Sequence, residues 1–183
     1  MFVSRTREAI AEPRAAEALA PSALEEEVTG LFDQYRVPLL RYLYSFGLPM
    51  QDGEEVVQEV FLALFQHLRR GKPRTNLQGW VFRVAHNLGL KRCQARRREA
   101  IADADSTRTD LEPNPEQQAA DSQRQKHLLA VVEALPELDR RCLYLRAEGL
   151  RYREIKDVLG ISLGGVALSL ERSLERLGRV NAR

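Results

Sequence analysis

The chain has 183 residues, of which 44% are hydrophobic and 30% are charged, so it can fold, but each domain core would be modest. The sequence contains no apolar run long enough to span a bilayer, no readable secretory signal and only two cysteines, too few for a disulfide framework. We therefore expect a cytoplasmic protein that does not insert into a membrane.

The net charge of +2 conceals a strong segregation of charge along the chain. Residues 31–98 carry +7 and residues 124–183 carry +4, whereas residues 99–123 carry −6 and residues 1–30 carry −3. Two basic blocks separated by an acidic segment indicate two domains that face a polyanion and are joined by a linker.

Helical periodicity begins after residues 1–21, which we interpret as a loosely ordered extension interrupted by two prolines. Ser22 and Glu25 have the pattern of a capping box, and apolar residues then recur at gaps of three and four. Pro38 lies inside this run and is predicted to kink or break the helix. Two further helical runs follow, separated by a basic loop at residues 71–76.

The rest of the chain consists of an acidic segment and a second, shorter region of helical periodicity. Residues 99–123 hold seven acids and a Pro-Asn-Pro sequence without apolar periodicity, so we predict an acidic linker. Helical spacing then resumes, and no run of any length has the period of a strand. We predict an all-α protein with two small helical domains, at residues 22–98 and 124–183.

The second domain contains the spacing of a helix-turn-helix core, formed by Ile155, Leu159, Ile161 and Val166. Gly160 stands where the sharp turn needs a left-handed residue. Such a unit places its second helix in the major groove of DNA. From spacing alone, an ordinary αα-hairpin is equally compatible with the pattern.

A long basic segment ends the first domain. Residues 69–98 contain ten basic residues and no acidic residue, which suits the neutralisation of several DNA phosphates. Trp80 and Phe82 are interleaved with these charges, and aromatic faces can stack on unpaired bases. The alternative is a solvated helix face with Trp80 in the core, although solvated faces usually mix the two signs of charge.

A cluster of acidic and amide residues precedes the basic segment, on a helix whose other face is apolar: Asp52, Glu54, Glu55, Gln58 and Glu59. Glu55 and Glu59 are four residues apart and point the same way. The cluster predicts either a docking face for a basic partner or a plain solvated face. We expect no metal and no cofactor, because no Glu-x-x-His pattern occurs and the histidines are isolated.

Three motifs then occur in a characteristic order. Residues 52–61 read Asp-Gly-Glu-Glu-Val-Val-Gln-Glu-Val-Phe, residues 77–87 read Leu-Gln-Gly-Trp-Val-Phe-Arg-Val-Ala-His-Asn, and residues 134–177 include Glu-Gly-Leu and Leu-Gly-Ile-Ser. Together they resemble regions 2.2, 2.3–2.4 and 4 of bacterial sigma-70 family factors of the extracytoplasmic-function type. The resemblance covers about residues 24–98 and 124–178.

The resemblance implies a promoter-specificity subunit that binds core RNA polymerase and is not itself an enzyme. Region 2.2 would dock on the β′ clamp helices through Asp52, Glu55, Gln58 and Glu59. Regions 2.3 and 2.4 would open the −10 element and hold its bases through Lys72, Arg74, Asn76, Trp80, Arg83, Asn87 and Lys91. Region 4 would meet the β flap and contact the −35 element through Arg151, Arg153, Ala167, Leu168 and Arg172. An anti-sigma factor is a common partner in the family.

The predicted recognition helix departs from the family pattern. Positions usually filled by Lys, Arg or His hold Ala167, Ser169 and Glu171. Two adjacent glycines weaken the start of this helix by roughly 1 kcal/mol each relative to Ala. We therefore expect weak or unusual readout of the −35 element, with mostly phosphate contacts. The alternative is that apolar side chains on this helix read thymine methyl groups.

Three other functional interpretations remain open. A stand-alone helix-turn-helix regulator would need a dimer interface or an effector domain. A sigma-like protein that binds polymerase or an inhibitor but reads promoters poorly fits the altered recognition helix. A metal-dependent nuclease using Glu54, Glu55 and Glu59 is the weakest interpretation, because no His or Asp falls at complementary spacing.

Overall fold

The computed structural model describes residues 22–102 and 123–181, and within them it contains seven α-helices and no strand. The helices are α1 (Ala23–Tyr44), α2 (Met50–Arg69), α3 (Leu77–Ala102), α4 (Gln123–Glu133), α5 (Glu137–Ala147), α6 (Tyr152–Leu159) and α7 (Leu163–Asn181). The all-α prediction is confirmed. None of the helices in these ranges is both long enough and apolar enough to cross a membrane.

The first domain is a bundle of α1, α2 and α3, which pack on one another in pairs. The predicted capping box starts α1: Ser22 Oγ accepts from the Glu25 amide, and the Glu25 carboxylate accepts from the Ser22 amide. Helix α1 continues through Pro38 rather than ending there. The turn after the proline buries Leu39, Leu40, Tyr42 and Leu43. This burial outweighs the cost of an interior proline, about 3 kcal/mol.

The first residues of the predicted linker are helical in the structure. Helix α3 runs to Ala102, beyond the predicted domain boundary at residue 98. The segment 99–102 therefore extends a helix, because its alanines and glutamate are good helix formers. Residues 103–122 of the predicted linker and the predicted N-terminal extension lie outside the described residues, and Gln123 belongs to α4.

The second domain contains the predicted helix-turn-helix in α6 and α7. Gly160 closes α6 with a φ of 68°, the left-handed conformation that glycine adopts without steric cost. Ile155 and Val166 are fully buried, and Leu159 and Ile161 are partly buried against the same core. Helices α4 and α5 pack on α7 and complete the domain.

The two domains pack on one another, with α6 against α3 and α5 against α1. Gln78 Nε2 donates to the Glu148 carbonyl at 2.8 Å, and Arg140 Nη2 donates to the Ser45 carbonyl at 3.0 Å. The Arg141 guanidinium lies 4.1 Å from the centre of a phenyl ring in the first domain, which is a cation–π contact.

Candidate polymerase and nucleic-acid interfaces

The acidic residues of α2 divide into a buried and an exposed group. Asp52 is only 8% exposed, and its carboxylate accepts from Arg92 at 2.8 Å and from Arg96 at 2.7 Å. Burial alone would raise the pKa of Asp52, but the hydrogen bonds from the two arginines outweigh it and hold this pKa below its usual value. Asp52 therefore joins α2 to α3 inside the first domain.

The remaining predicted docking residues lie closer to solvent. Glu55 is partly buried and pairs with Arg92 at 2.5 Å, whereas Gln58 and Glu59 are exposed. Glu54 pairs with Arg36 of α1 at 2.5 Å. Gln58 and Glu59 therefore form the accessible part of the acidic face. A partner can reach them without breaking an ion pair between described residues.

Helix α3 presents a polar stripe to solvent. Trp80, Arg83, Asn87 and Lys91 follow one another at gaps of three, four and four residues, so they share one face. Trp80 is partly buried and the other three are exposed. Four of the seven predicted −10 residues thus lie together, on the side of α3 opposite to Gln78 and the second domain.

The other three predicted −10 residues belong to the basic loop at residues 71–76. Asn76 adopts a positive φ of 55°, and its Oδ1 accepts from the Gly79 amide at 3.1 Å, so it caps the start of α3. Arg74 pairs with Glu27 of α1 through two donors at 3.1–3.2 Å. Lys72 is exposed. Two of the three loop side chains therefore already have protein partners.

Sequence reasoning missed two residues that hold this loop, Glu27 and His67. Glu27 lies 47 positions before its partner Arg74, and His67 lies in the last turn of α2 with its ring against the loop. Local periodicity carries no signal for either contact. Charge complementarity between an acid on α1 and a basic loop is the only hint that the sequence offers.

The second domain exposes most of its predicted −35 residues. Arg151 and Arg153 are exposed at the start of α6, and Ala167 and Leu168 are exposed on α7, with Leu168 51% accessible. These four side chains are available to a ligand in the described arrangement.

Arg172 has a different environment from the other predicted −35 residues. Its guanidinium donates two hydrogen bonds, at 2.7 and 3.2 Å, to the carboxylate of Asp139, which is 1% exposed. This bidentate geometry joins α7 to α5. Burial would raise the pKa of Asp139, but hydrogen bonds from Arg172 and Ser169 outweigh it, so this pKa is lowered. Arg172 is therefore already paired with Asp139. A DNA phosphate could bind Arg172 only by sharing its guanidinium with Asp139 or by breaking that ion pair.

Both cysteines lie inside the fold. Cys142 is fully buried in the second domain, and Cys93 is partly buried next to Phe46, whose carbonyl oxygen lies 3.7 Å from its Sγ. Burial raises the pKa of the Cys93 thiol despite the nearby arginines. Among the described residues, no group of three or more His, Cys, Asp or Glu side chains lies close enough to hold a metal ion.

Two family models match this chain over the domains that carry these surfaces. The model for sigma-70 region 2 matches residues 31–99, and the model for sigma-70 region 4 matches residues 126–177. The acidic face of α2 and the polar stripe of α3 fall within the first match. The helix-turn-helix falls within the second.

Curated relatives and solved structures agree with these matches. The chain is 34% identical to the extracytoplasmic-function (ECF) sigma factor SigE of Mycolicibacterium smegmatis, over 80% of this chain and 58% of SigE. It is 29% identical to the sigma factor CnrH of Cupriavidus metallidurans, over 87% of this chain and 89% of CnrH. The chain therefore spans less than two thirds of SigE and most of CnrH.

The fold resembles that of the sigma factor RpoE of Bartonella quintana, solved in complex with the anti-sigma factor NepR. That likeness has a TM-score of 0.68 at 17% identity and covers 86% of this chain and 98% of the other. CnrH in complex with the cytosolic domain of CnrY gives a TM-score of 0.57 at 22% identity, over 86% and 88%. With both domains matched in order by their family models, this chain belongs to the sigma-70 family of RNA polymerase sigma factors, in the extracytoplasmic-function group.

Proposed function

We propose that this chain binds core RNA polymerase and directs promoter-specific initiation of transcription. One observation carries the proposal: an exposed acidic face on α2 lies beside an exposed polar and basic stripe on α3, within the segment that matches sigma-70 region 2. The first surface fits a basic protein partner, and the second fits a nucleic acid. The polymerase performs the chemistry, and this chain supplies recognition.

The polymerase contact is proposed for Gln58, Glu59 and Glu55, against the β′ clamp helices. Asp52 stabilises this face indirectly. It forms an ion pair with Arg92, and Arg92 also pairs with Glu55. Exposed charges of opposite sign give a contact that weakens as salt is added. The proposed contact is therefore salt-sensitive.

The −10 contact is proposed for the basic loop and the α3 stripe, acting on one separated DNA strand. Base extrusion costs a few kcal/mol, which is about what one or two stacked bases can return. Trp80 offers a partly exposed ring for such stacking, while Lys72, Arg83 and Lys91 offer charges for phosphates.

The −35 contact is proposed to be weak in sequence preference. The exposed face of α7 carries Ala167, Leu168 and Glu171, and Arg172 is held by Asp139. Arg151 and Arg153 at the start of α6 are placed for phosphates, which position a protein without reading sequence. The proposed functional units are the two predicted domains, 22–98 and 124–183, with α3 extending the first to Ala102 and α4 beginning the second at Gln123.

An anti-sigma factor is part of the proposal as a partner. RpoE of Bartonella quintana, whose fold this chain shares, was solved with the anti-sigma factor NepR, and CnrH was solved with the cytosolic domain of CnrY. The site of action proposed for this chain is the cytoplasm, where a sigma factor meets polymerase and promoter DNA.

The test of the proposed function is binding to bacterial core RNA polymerase at low and high salt. We expect salt-sensitive binding that Glu59→Lys weakens at least tenfold. Glu133→Lys makes the same charge change at an exposed position of the second domain and is expected to bind like the unchanged protein. No binding at low salt by a folded chain would contradict the proposal and favour a stand-alone DNA-binding regulator.

A second test separates the two promoter contacts. Replacing the −35 sequence while the −10 sequence is kept is expected to change initiation less than threefold, because α7 exposes few side chains for base readout. Replacing the −10 sequence is expected to abolish initiation. A large loss on −35 replacement would show that the apolar residues of α7 read bases.

A further inference from the structure

The basic loop at residues 71–76 is contacted by a residue that lies outside the motifs named above. His67, in the last turn of α2, contacts the loop through both its backbone and its ring. Its carbonyl accepts from the Lys72 amide at 3.3 Å, and its Nε2 lies 3.1 Å from the Pro73 carbonyl oxygen. A carbonyl oxygen only accepts, so Nε2 carries the proton and donates to it.

The same imidazole ring also packs on the indole of Trp80. The two ring centres are 4.7 Å apart and the planes are inclined by 41°. One side chain thus touches both the middle of the loop and the aromatic residue at the start of the α3 stripe. Glu27 holds Arg74 and Asn76 caps α3, so His67 is the third point at which this loop is held.

Two features of the loop indicate that it needs such support. Gly71 and Asn76, at its two ends, both have positive φ, at 67° and 55°. All six of its residues are exposed, so little of the loop is buried to hold it in place. A loop ordered before its ligand arrives loses less conformational entropy on binding.

We propose that His67 is a positioning residue for promoter opening, which fixes the basic loop and the Trp80 ring in the pose that captures a separated −10 strand. The proposal rests on the proposed function and deepens it by assigning this role to a residue outside the DNA-contacting set. His67 acts through the Pro73 carbonyl and the Trp80 ring rather than by touching DNA.

The first measurement uses the free protein. Trp80 is the single tryptophan of the chain, so intrinsic fluorescence reports on its ring alone. We expect His67→Ala to raise the acrylamide quenching constant of Trp80 about twofold. His67→Phe, which keeps an aromatic ring at this place, is expected to leave quenching close to that of the unchanged protein. If the unchanged protein and His67→Ala have equal quenching constants, His67 does not hold the Trp80 ring and the proposal is overturned.

The second measurement uses the holoenzyme with a single-stranded −10 oligonucleotide and a duplex promoter. His67→Ala is expected to weaken oligonucleotide binding and open-complex formation by roughly three- to tenfold, the range that one lost hydrogen bond produces. His67→Gln keeps an N–H donor for the Pro73 carbonyl and is expected to recover part of the loss. Gln66→Ala, one position earlier on α2, is the matched control.

The outcomes separate the two proposals. If the unchanged chain forms no holoenzyme, the proposed function fails and this inference fails with it. If the unchanged holoenzyme opens the promoter and all His67 variants match it, only the positioning role is overturned. If His67→Ala lowers the melting temperature and the binding to core polymerase but leaves the oligonucleotide affinity unchanged, His67 has a purely structural role. That result also overturns the proposal.

Discussion

His86 and Tyr42 form a polar pair in the core of the first domain, where the Tyr42 hydroxyl lies 2.8 Å from His86 Nδ1. Burial, with a smaller contribution from the charge of Arg141 in the second domain, lowers the pKa of His86 to about 4. Burial likewise raises the pKa of Tyr42. Both side chains are therefore neutral at physiological pH, and the pair is stable only while His86 stays unprotonated.

This pair predicts an acid-sensitive fold. An unfolded histidine titrates near 6.5, so between pH 6.5 and about 4 the unfolded state binds more protons and stability falls as pH is lowered. The slope is at most about 1.4 kcal/mol per pH unit for one group. Asp52 and Asp139 have lowered pKa values, so their contribution is lost only at more acidic pH, below about 3.8.

Urea unfolding at pH 7, 6 and 5 measures the effect. We expect His86→Gln to flatten the fall in unfolding free energy over this range, although it lowers stability at pH 7. A slope in His86→Gln equal to that of the unchanged protein would refute the assignment.

At the scale of the element, α7 begins with a side-chain N-cap that is followed by two residues of low helix propensity. Ser162 Oγ accepts from the Gly165 amide at 3.0 Å and caps the helix. Gly164 and Gly165 follow, and neither has a positive φ. A Cβ added at Gly164 would meet open space, whereas one at Gly165 would lie 3.3 Å from the Ser162 hydroxyl.

The two glycines therefore predict opposite responses to the same change. Gly164→Ala is expected to stabilise the protein by up to about 1 kcal/mol, because alanine is the better helix former and nothing is crowded. Gly165→Ala gains the same propensity but disturbs the cap, so we expect no net gain. Urea unfolding of the matched pair tests this, and a larger gain for Gly165→Ala would contradict it.

At the scale of the whole molecule, the domain packing sets what can be bound at once. A compact body of the size of the described residues, 22–102 and 123–181, has a radius of gyration of about 14 Å, hence a diameter of about 37 Å. The −10 and −35 elements are about 25 base pairs apart, or about 85 Å along duplex DNA. The packed arrangement leaves the α3 stripe and the exposed face of α7 accessible, but it cannot reach both elements together.

We therefore predict that the domains separate when polymerase and promoter are bound. Fluorophores on Gln51→Cys in α2 and Glu175→Cys in α7, both exposed positions, report the separation. The buried Cys142 and the raised thiol pKa of Cys93 favour labelling at the new sites. We expect high energy transfer in the free protein and a large drop in the promoter complex. Unchanged transfer in an actively initiating complex would exclude the separation.

The Arg141 contact offers an independent control for the same experiment. Arg141 stacks on Phe46 across the domain interface at 4.1 Å. Arg141→Ala is expected to lower energy transfer in the free protein, whereas Arg146→Ala, whose nearby contacts lie within the second domain, is expected to leave it unchanged.

The sequence by itself determined the helical class, the two-domain order and the family, because these depend on local quantities. Periods of three and four residues mark the buried face of each helix, and Gly160 occupies the turn of the helix-turn-helix with a left-handed φ. The residues of the α3 stripe were proposed from the family resemblance, and their spacing places them on one helix face. Charge segregation separated the acidic face of α2 from the basic segment after it.

Only the tertiary structure decided which of the polar residues face solvent and which face each other. Asp52 binds arginines 40 and 44 positions away, Arg74 binds an acid 47 positions earlier, and Arg172 binds an acid 33 positions earlier. A pattern of hydrophobic residues fixes the inward face of a helix but leaves the choice among several possible charged partners open. That choice depends on how the helices cross, which is set by packing over the whole chain.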